Sequence, residues 1–225
     1  MTLCQVTIDG PAASGKSTVA KLVAQRLGGH YINTGDMYRT VACAVLRRGG
    51  DPRNQTEEIA EVLPTLDLGY VLDEGGSLVL MLNGEPVKQE EIRTAEVAAV
   101  VSYVARIPAV RYWLRARQRK TVELGTIVME GRDIGTVILP NASNKFFMTA
   151  SPEERARRRF AQPGEVPAGA TLASVAAEIA ERDQMDMNRP VSPLRPAEDA
   201  VLIDTDGLTP EQVADRIVDR VEGRA

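Results

Sequence analysis

The chain is poor in the residues that staple a small fold or load it with metal: 225 residues include two cysteines and one histidine. Cys4, in a strand-like run, and Cys43, in a helical one, make neither a disulfide framework nor a metal site, and both read as small core residues. With His30 as the only histidine, His-rich zinc sites are excluded and a Ser-His-Asp triad has little room; His30 is expected at a strand edge. Long apolar runs are missing too. The longest strongly apolar uncharged one, 97–105, is far short of the roughly 20 residues a bilayer crossing needs. The first basic residue is Lys16, so the start lacks the charged segment of a secretory leader, and a cytoplasmic protein is expected. Positive charge is not in excess: 31 acids face 27 bases, for a net charge of -4. That balance argues against bulk adsorption to nucleic acid or anionic lipid, so any basic site must be a local cluster.

What is present is an ordinary globular composition, 44% hydrophobic and 26% charged. At about 150 residues per domain the length gives roughly one and a half domains, which fits one domain carrying an insertion and two separate domains equally. Cys4 to Ile8 reads as a strand, followed by a Gly/Ser-rich turn and a helix over Thr18 to Leu27. A second strand over His30 to Ile32 and a helix over Met37 to Arg48, stopping at Gly49-Gly50, come next. From Asp67 to Lys88 alternating segments are punctuated by Glu74-Gly75-Gly76 and Asn83-Gly84-Glu85, the signature of a small antiparallel sheet. Glu90 to Arg106 and Ala109 to Leu124 read as helices separated by Pro108. Buried-strand runs return at Thr126 to Met129, Lys145 to Met148 and Ala200 to Ile203, with helices between. Strands separated by helices predict an α/β protein with a parallel sheet covered on both faces.

Gly10, Pro11, Ala12, Ala13, Ser14, Gly15, Lys16, Ser17 and Thr18 satisfy G-x-x-x-x-G-K-S/T, between a buried-type strand and an amphipathic helix. Glycines let the backbone turn its N–H groups inward, and the helix N-terminus adds positive potential, so the loop cradles a polyphosphate. Lys16 is placed to reach the β and γ phosphates and Ser17 to ligate a magnesium ion bridging them. The acceptor of the phosphoryl group must be sought elsewhere. No guanine reader is present, since Asn144-Lys145 is followed by two phenylalanines, and Asp73 to Gly76 falls at a hairpin turn.

Arginine supplies the second signal. Ser151, Pro152 and Glu154 predict a capped helix start, after which Arg155, Arg158 and Arg159 share one face and Arg157 points away. This cluster reads either as a flap over the phosphates or as a solvated basic face, and 162–169 beyond it as a loop suited to a hinge. Arg182, Asp186 and Arg189 recur at i, i+4 and i+7 on one helix ending near Pro190, which suits an ion-pair ladder or a ligand site equally. Arg39, Arg111, Arg132 and Asp133 extend the set, the last two after a strand's C-terminal end, where parallel sheets place ligand groups. So many guanidiniums suit an acceptor that itself carries phosphate. A kinase of another small acceptor such as shikimate, a nucleotide switch and a nucleic-acid-dependent ATPase remain as rivals.

IDGPAASGKST (Ile8 to Thr18), NTGDMYR (Asn33 to Arg39), EIRTAEV (Glu91 to Val97), VSYVARIPAVR (Val101 to Arg111), EGRDIGT (Glu130 to Thr136), SPEERARRR (Ser151 to Arg159) and RDQMDMNR (Arg182 to Arg189), in that order, resemble the motifs of the bacterial cytidylate kinases. These are nucleoside monophosphate kinases acting on CMP and dCMP. The resemblance implies a P-loop nucleoside monophosphate kinase fold: a central parallel five-stranded sheet of order 2-3-1-4-5, a core over 1–38 and 106–225, a monophosphate-binding insertion over 39–105 and a helical lid over 153–169. By matching position, Thr34, Arg111, Asp133 and Arg189 are expected at the cytosine edge, with Ser102 nearby. Arg182 and Asp186 are expected at the sugar, Arg39 and Arg132 at the acceptor phosphate, and Tyr38 in the pocket wall. Arg155 and Arg159, with Arg158, are expected at ATP. Lys16, Arg132, Arg155, Arg159 and Arg182 form the expected catalytic set, Ser17 the magnesium contact. ATP and CMP or dCMP are the implied substrates of a monomer without nucleic-acid or membrane partners. Two departures stand out: Asn33 where the family usually has Asp, and Asp36 where it usually has a small residue.

Overall fold

In the computed structural model, which describes residues 4–54, 56–161, 166 and 168–224, strand and helix alternate along most of the chain. β1 (Gln5–Asp9) leads through the glycine loop into α1 (Lys16–Arg26), then β2 (His30–Asn33) and α2 (Thr34–Arg47). α3 (Thr56–Val62) precedes the hairpin strands β3 (Leu68–Leu72), β4 (Leu78–Leu82) and β5 (Glu85–Pro86). α4 (Gln89–Ile92), α5 (Ala95–Val104) and α6 (Pro108–Lys120) lead to β6 (Ile127–Gly131), a wide π turn over Ile134–Ile138, and β7 (Asn144–Thr149). α7 (Pro152–Phe160), α8 (Leu172–Asn188), β8 (Val201–Asp204) and α9 (Pro210–Val221) complete the described chain.

Five strands make one parallel sheet of order β2-β6-β1-β7-β8, the expected 2-3-1-4-5 when its members are counted along the chain. The register aligns the carboxyl ends, with Asp9 opposite Gly131 and Phe147, and Asn33 opposite Glu130. The glycine loop, the start of α2 and the Arg132-Asp133 segment therefore leave the sheet at one edge, where open α/β sheets bind ligands. Val6, Ile8, Val128, Phe146 and Met148 pack one face against α1 and α9. Ile32, Ile127 and Met129 pack the other against the π turn.

β3, β4 and β5 form the separate antiparallel sheet, with turns where the sequence placed them. Leu68 and Leu80 bury against α2, α5 and α6. Trp113, the only tryptophan, borders that cluster and lies 3.6 Å from the Arg117 guanidinium. His30 opens the edge strand β2, as expected; Cys43 is buried, whereas Cys4 is only half-buried at the entry to β1.

Several boundaries differ for identifiable reasons. α2 starts three residues before Met37 because Asn33 Oδ1 accepts from the Asp36 N–H and caps it. The expected helix over 90–106 is broken, since Thr94 adopts extended backbone and caps α5 through the Val97 N–H. Pro108 does not separate helices but opens α6, where its missing N–H costs nothing. Arg189 lies just past α8 with ψ 142°, as the residue before Pro190 must. Glu154 makes no capping box; it turns to Arg157 and Arg158 instead. The expected hinge at 162–165 and 167 lies outside the described residues. Among those described, no single helix is long and apolar enough to cross a membrane.

Candidate active site

The glycine loop is shaped by steric and hydrogen-bond demands. A Cβ on Gly10, at φ 151°, would sit 2.1 Å from the Met148 carbonyl oxygen, so only glycine lets the chain leave β1 here. Pro11 O then accepts from Ser14 Oγ at 3.1 Å and Lys16 Nζ at 2.6 Å. No side chain caps α1, which leaves its first N–H groups directed at the cleft for an anion. Lys16 is buried, and burial, followed by the charge of Arg132, pulls its pKa down to about 7. Arg158, held by Glu154, donates to Ser14 O at 3.3 Å and to Thr205 Oγ1 at 2.9 Å.

Across the cleft, charges alternate. Arg111 meets Asp133 at 2.5 Å, Arg189 meets Asp133 at 3.6 Å and Asp186 at 3.3 Å, and Asp186 meets Arg132 at 3.0 Å. Burial alone would raise the Asp186 carboxyl, but Arg132, Arg182 and Arg189 together hold it below the usual range. The Arg111 guanidinium lies over the Tyr38 ring, 5.5 Å from its centroid. The Arg132-Asp133 segment is anchored from the sheet: Asp9 accepts from the Ile134 and Gly135 N–H groups at 2.8 and 2.7 Å. Burial pushes the Asp9 carboxyl up to about 7, against the effect of those two amides.

Arg182 is the most exposed to electrostatic conflict. It is half-buried, its Nε is shielded from solvent with no hydrogen-bond partner among the described residues, and its pKa falls to about 9, first through loss of hydration and then through Arg132, with Arg159 and Arg39 adding to the effect. Four guanidiniums crowd around one space with Asp186 as the opposing carboxylate. Such a set is a receptacle for a multiply charged anion.

One cavity of about 660 Å³ joins the two halves. Its walls include Ala12 to Thr18 from the loop and Thr34, Tyr38, Arg39, Ser102, Arg111, Arg132, Asp133, Arg182, Asp186 and Arg189 from the far side. Arg158 and Arg159 border it, and so does Arg157, which the helical spacing turned away. Gly10 and Pro11 do not line it. Arg155 does not line the cavity: it reaches back to Asp183 and to Ala12 O at 3.3 Å. The two unusual residues hold the start of α2 in place. Asn33 caps α2, and Asp36 binds Arg93 at 2.6 Å and Gln89 at 3.2 Å.

Sequence reasoning gave no role to Asp9, Arg93, Glu130 or Asp183. Glu130 is buried and accepts from the Tyr31 hydroxyl at 2.6 Å. All four sat inside quoted motifs, so position was the available signal.

The model of one protein family, described as cytidylate kinase, matches residues 6–223. A cytidylate kinase of Desulforamulus reducens is 49% identical over 217 residues, 96% of each chain. One of Bacillus subtilis is 44% identical over 220 residues, covering 98% of this chain and 97% of the relative. A shikimate kinase structure from Bacteroides thetaiotaomicron covers 99% of this chain and 98% of its own at a TM-score of 0.50 and 13% identity, a likeness of fold alone.

Proposed function

The chain belongs to the cytidylate kinase family, and from that premise we propose how its cleft transfers the γ phosphoryl group of ATP to CMP or dCMP, yielding ADP and the nucleoside diphosphate. The observation that carries the reading is the crowding of Arg39, Arg132 and Arg182, with Arg159 of α7 close enough to add its charge, in the cavity that the glycine loop opens. Guanidinium forks match phosphate oxygens, and a ring of them placed opposite a triphosphate cradle brings two anions together.

Each half has its own task. The loop N–H groups and Lys16 hold the donor phosphates, with Arg158 and Arg159 closing over them. Arg39, Arg132 and Arg182 hold the acceptor phosphate. Arg111, Asp133 and Arg189, with Thr34 and Ser102 beside them, read the pyrimidine edge, and Asp186 and Arg182 reach the sugar. Tyr38 supports Arg111 from below. No general base is needed, because the attacking phosphate oxygen is already anionic. Catalysis is alignment together with neutralisation of charge spreading over the transferring group.

Magnesium fits this site as part of the donor substrate. The Ser17 hydroxyl stands at the start of α1, while no group of three or more metal-ligating side chains is placed to hold an ion among the described residues. Bound between ATP phosphates and Ser17, the ion would supply charge neutralisation. The segments 1–38 and 106–225 act as the core, with a lid over 153–169 within it, and 39–105 as the acceptor-binding insertion.

A panel of acceptors with purified protein and ATP, read by ADP release, tests the reading. CMP and dCMP should lead UMP, AMP and shikimate. A different leading acceptor, or hydrolysis indifferent to CMP, overturns it.

A further inference from the structure

α8 carries a carboxylate that the transfer scheme leaves without a task. Asp183 is 3% exposed and neighbours Arg182, yet it faces the glycine loop rather than the acceptor side. Its Oδ1 accepts from the Ala12 N–H at 3.1 Å, and its Oδ2 accepts from Arg155 Nη1. Arg155 also donates to Ala12 O at 3.3 Å and, through Nε, to Ala150 O at 3.2 Å. Both polar groups of Ala12 are thus gripped from behind, one by an acid of α8 and one by a base of α7.

That grip falls where the loop has little of its own. The Ser14 hydroxyl and the Lys16 ammonium both go to Pro11 O and close the turn from its ends, leaving the N–H and C=O of Ala12 itself to the two helices. Ala13 sits at φ 58°, a left-handed conformation that a residue with a Cβ keeps only when its surroundings impose it. Ala12 is further seated among Ala156, Val175 and Ile179, side chains of the same two helices.

The position of Asp183 along α8 gives the grip its meaning. One residue earlier, Arg182 enters the acceptor side; three residues later, Asp186 binds Arg132 at 3.0 Å. A single helix therefore fastens the donor loop through residue 183 and the acceptor arginines through residues 182 and 186. The separation of the two phosphate sites is set by the rigid geometry of one helix.

We propose that Asp183, together with Arg155, is a positioning residue for phosphoryl transfer: the pair clamps the Ala12 peptide to α8 and so fixes the distance and angle between donor and acceptor phosphates. This rests on the two-phosphate reading of the cleft. A displacement of about 1 Å in such an alignment costs roughly a hundredfold in rate while leaving each substrate's own contacts in place.

Removing one partner alone would strand a buried charge and risks the fold, whereas an apolar pair of similar volume removes both charges together. The test is the full-length double variant Asp183→Leu with Arg155→Met, compared with the parent for melting temperature, kcat and the KM of each substrate. The expected result is a folded protein with a moderately lowered melting temperature, because the polar groups of Ala12 lose their partners, a kcat lower by about a hundredfold and much smaller changes in both KM values. Parental kcat in a folded double variant overturns the clamp, because a merely structural ion pair predicts that outcome.

Should the double variant not fold, Asp183→Asn decides. It keeps an oxygen for the Ala12 N–H but loses the charge facing Arg155, so kcat should fall with KM values preserved. Lower melting with parental kcat reads as a structural pair and refutes positioning. If the parent proves to phosphorylate some acceptor other than CMP, the acceptor assignment fails while the same variants test the clamp with that acceptor.

Discussion

Lys16 folds back over its own loop, its Nζ donating to the Pro11 carbonyl at 2.6 Å, in surroundings that pull its pKa down to about 7. A polyphosphate arriving in the cradle brings the negative charge that restores the ammonium. Binding of ATP should then take up a proton above pH 7, and affinity should weaken as pH rises, because the ligand favours the protonated form. Calorimetry at pH 8 in buffers of different ionisation heat measures this. Binding without proton uptake contradicts it.

Replacing Lys16 with Ala should lower kcat by about a hundred- to a thousandfold, the cost typical of losing one aimed charge-stabilising donor. Among the described residues only a loop carbonyl and a hydroxyl accept from its Nζ, so the circular dichroism spectrum should not change. Retained turnover removes Lys16 from the mechanism.

Arg111→Ala and Arg189→Ala should each raise the KM for CMP while hardly moving that for ATP. Each substitution deprives buried Asp133 of a partner, and an unpaired buried group costs about 1 to 3 kcal/mol, or roughly five- to a hundredfold. Initial rates with either substrate varied provide the check. Equal increases for both would withdraw the base-reading assignment.

Asp186→Asn should bring the ratio of kcat/KM for CMP over dCMP toward one, if its carboxylate meets the sugar. Because Asp186 also binds Arg132 and Arg189, absolute rates with both substrates should drop. An unchanged ratio places the sugar contact elsewhere.

Gly10→Ala and Gly28→Ala separate steric exclusion from backbone preference. At Gly28, φ 60°, an added Cβ meets nothing within 4 Å, so the loss should be about 1 kcal/mol. At Gly10 the Cβ would lie 2.1 Å from a backbone oxygen, and the expected cost is about 3 kcal/mol or more. Thermal melts of the two variants side by side read the difference.

What could be read in advance was whatever the chain spells out contiguously. The cradle from Gly10 to Thr18 is one unbroken segment, and the hairpins declare themselves through Asp73 to Gly76 and Asn83-Gly84. The break at Thr94 was hidden because good helix formers continue on both sides of it, so the cap wins only once tertiary packing selects it. Helical spacing told which arginines share a side of α7 but not what lies opposite, and Arg155 answers to Asp183, 28 positions away. Asp9 and Ile134, 125 positions apart, meet only because β1 and β6 pair in register. Contacts of that range are written in the fold and not in any local pattern.

The Trp113 and Arg117 stack has a practical corollary. It is the sole indole of the chain, two residues from Arg111 on α6, with a guanidinium 3.6 Å above its ring. A displacement of α6 on filling of the cavity would alter that contact, and the emission of the indole would record it without a dye.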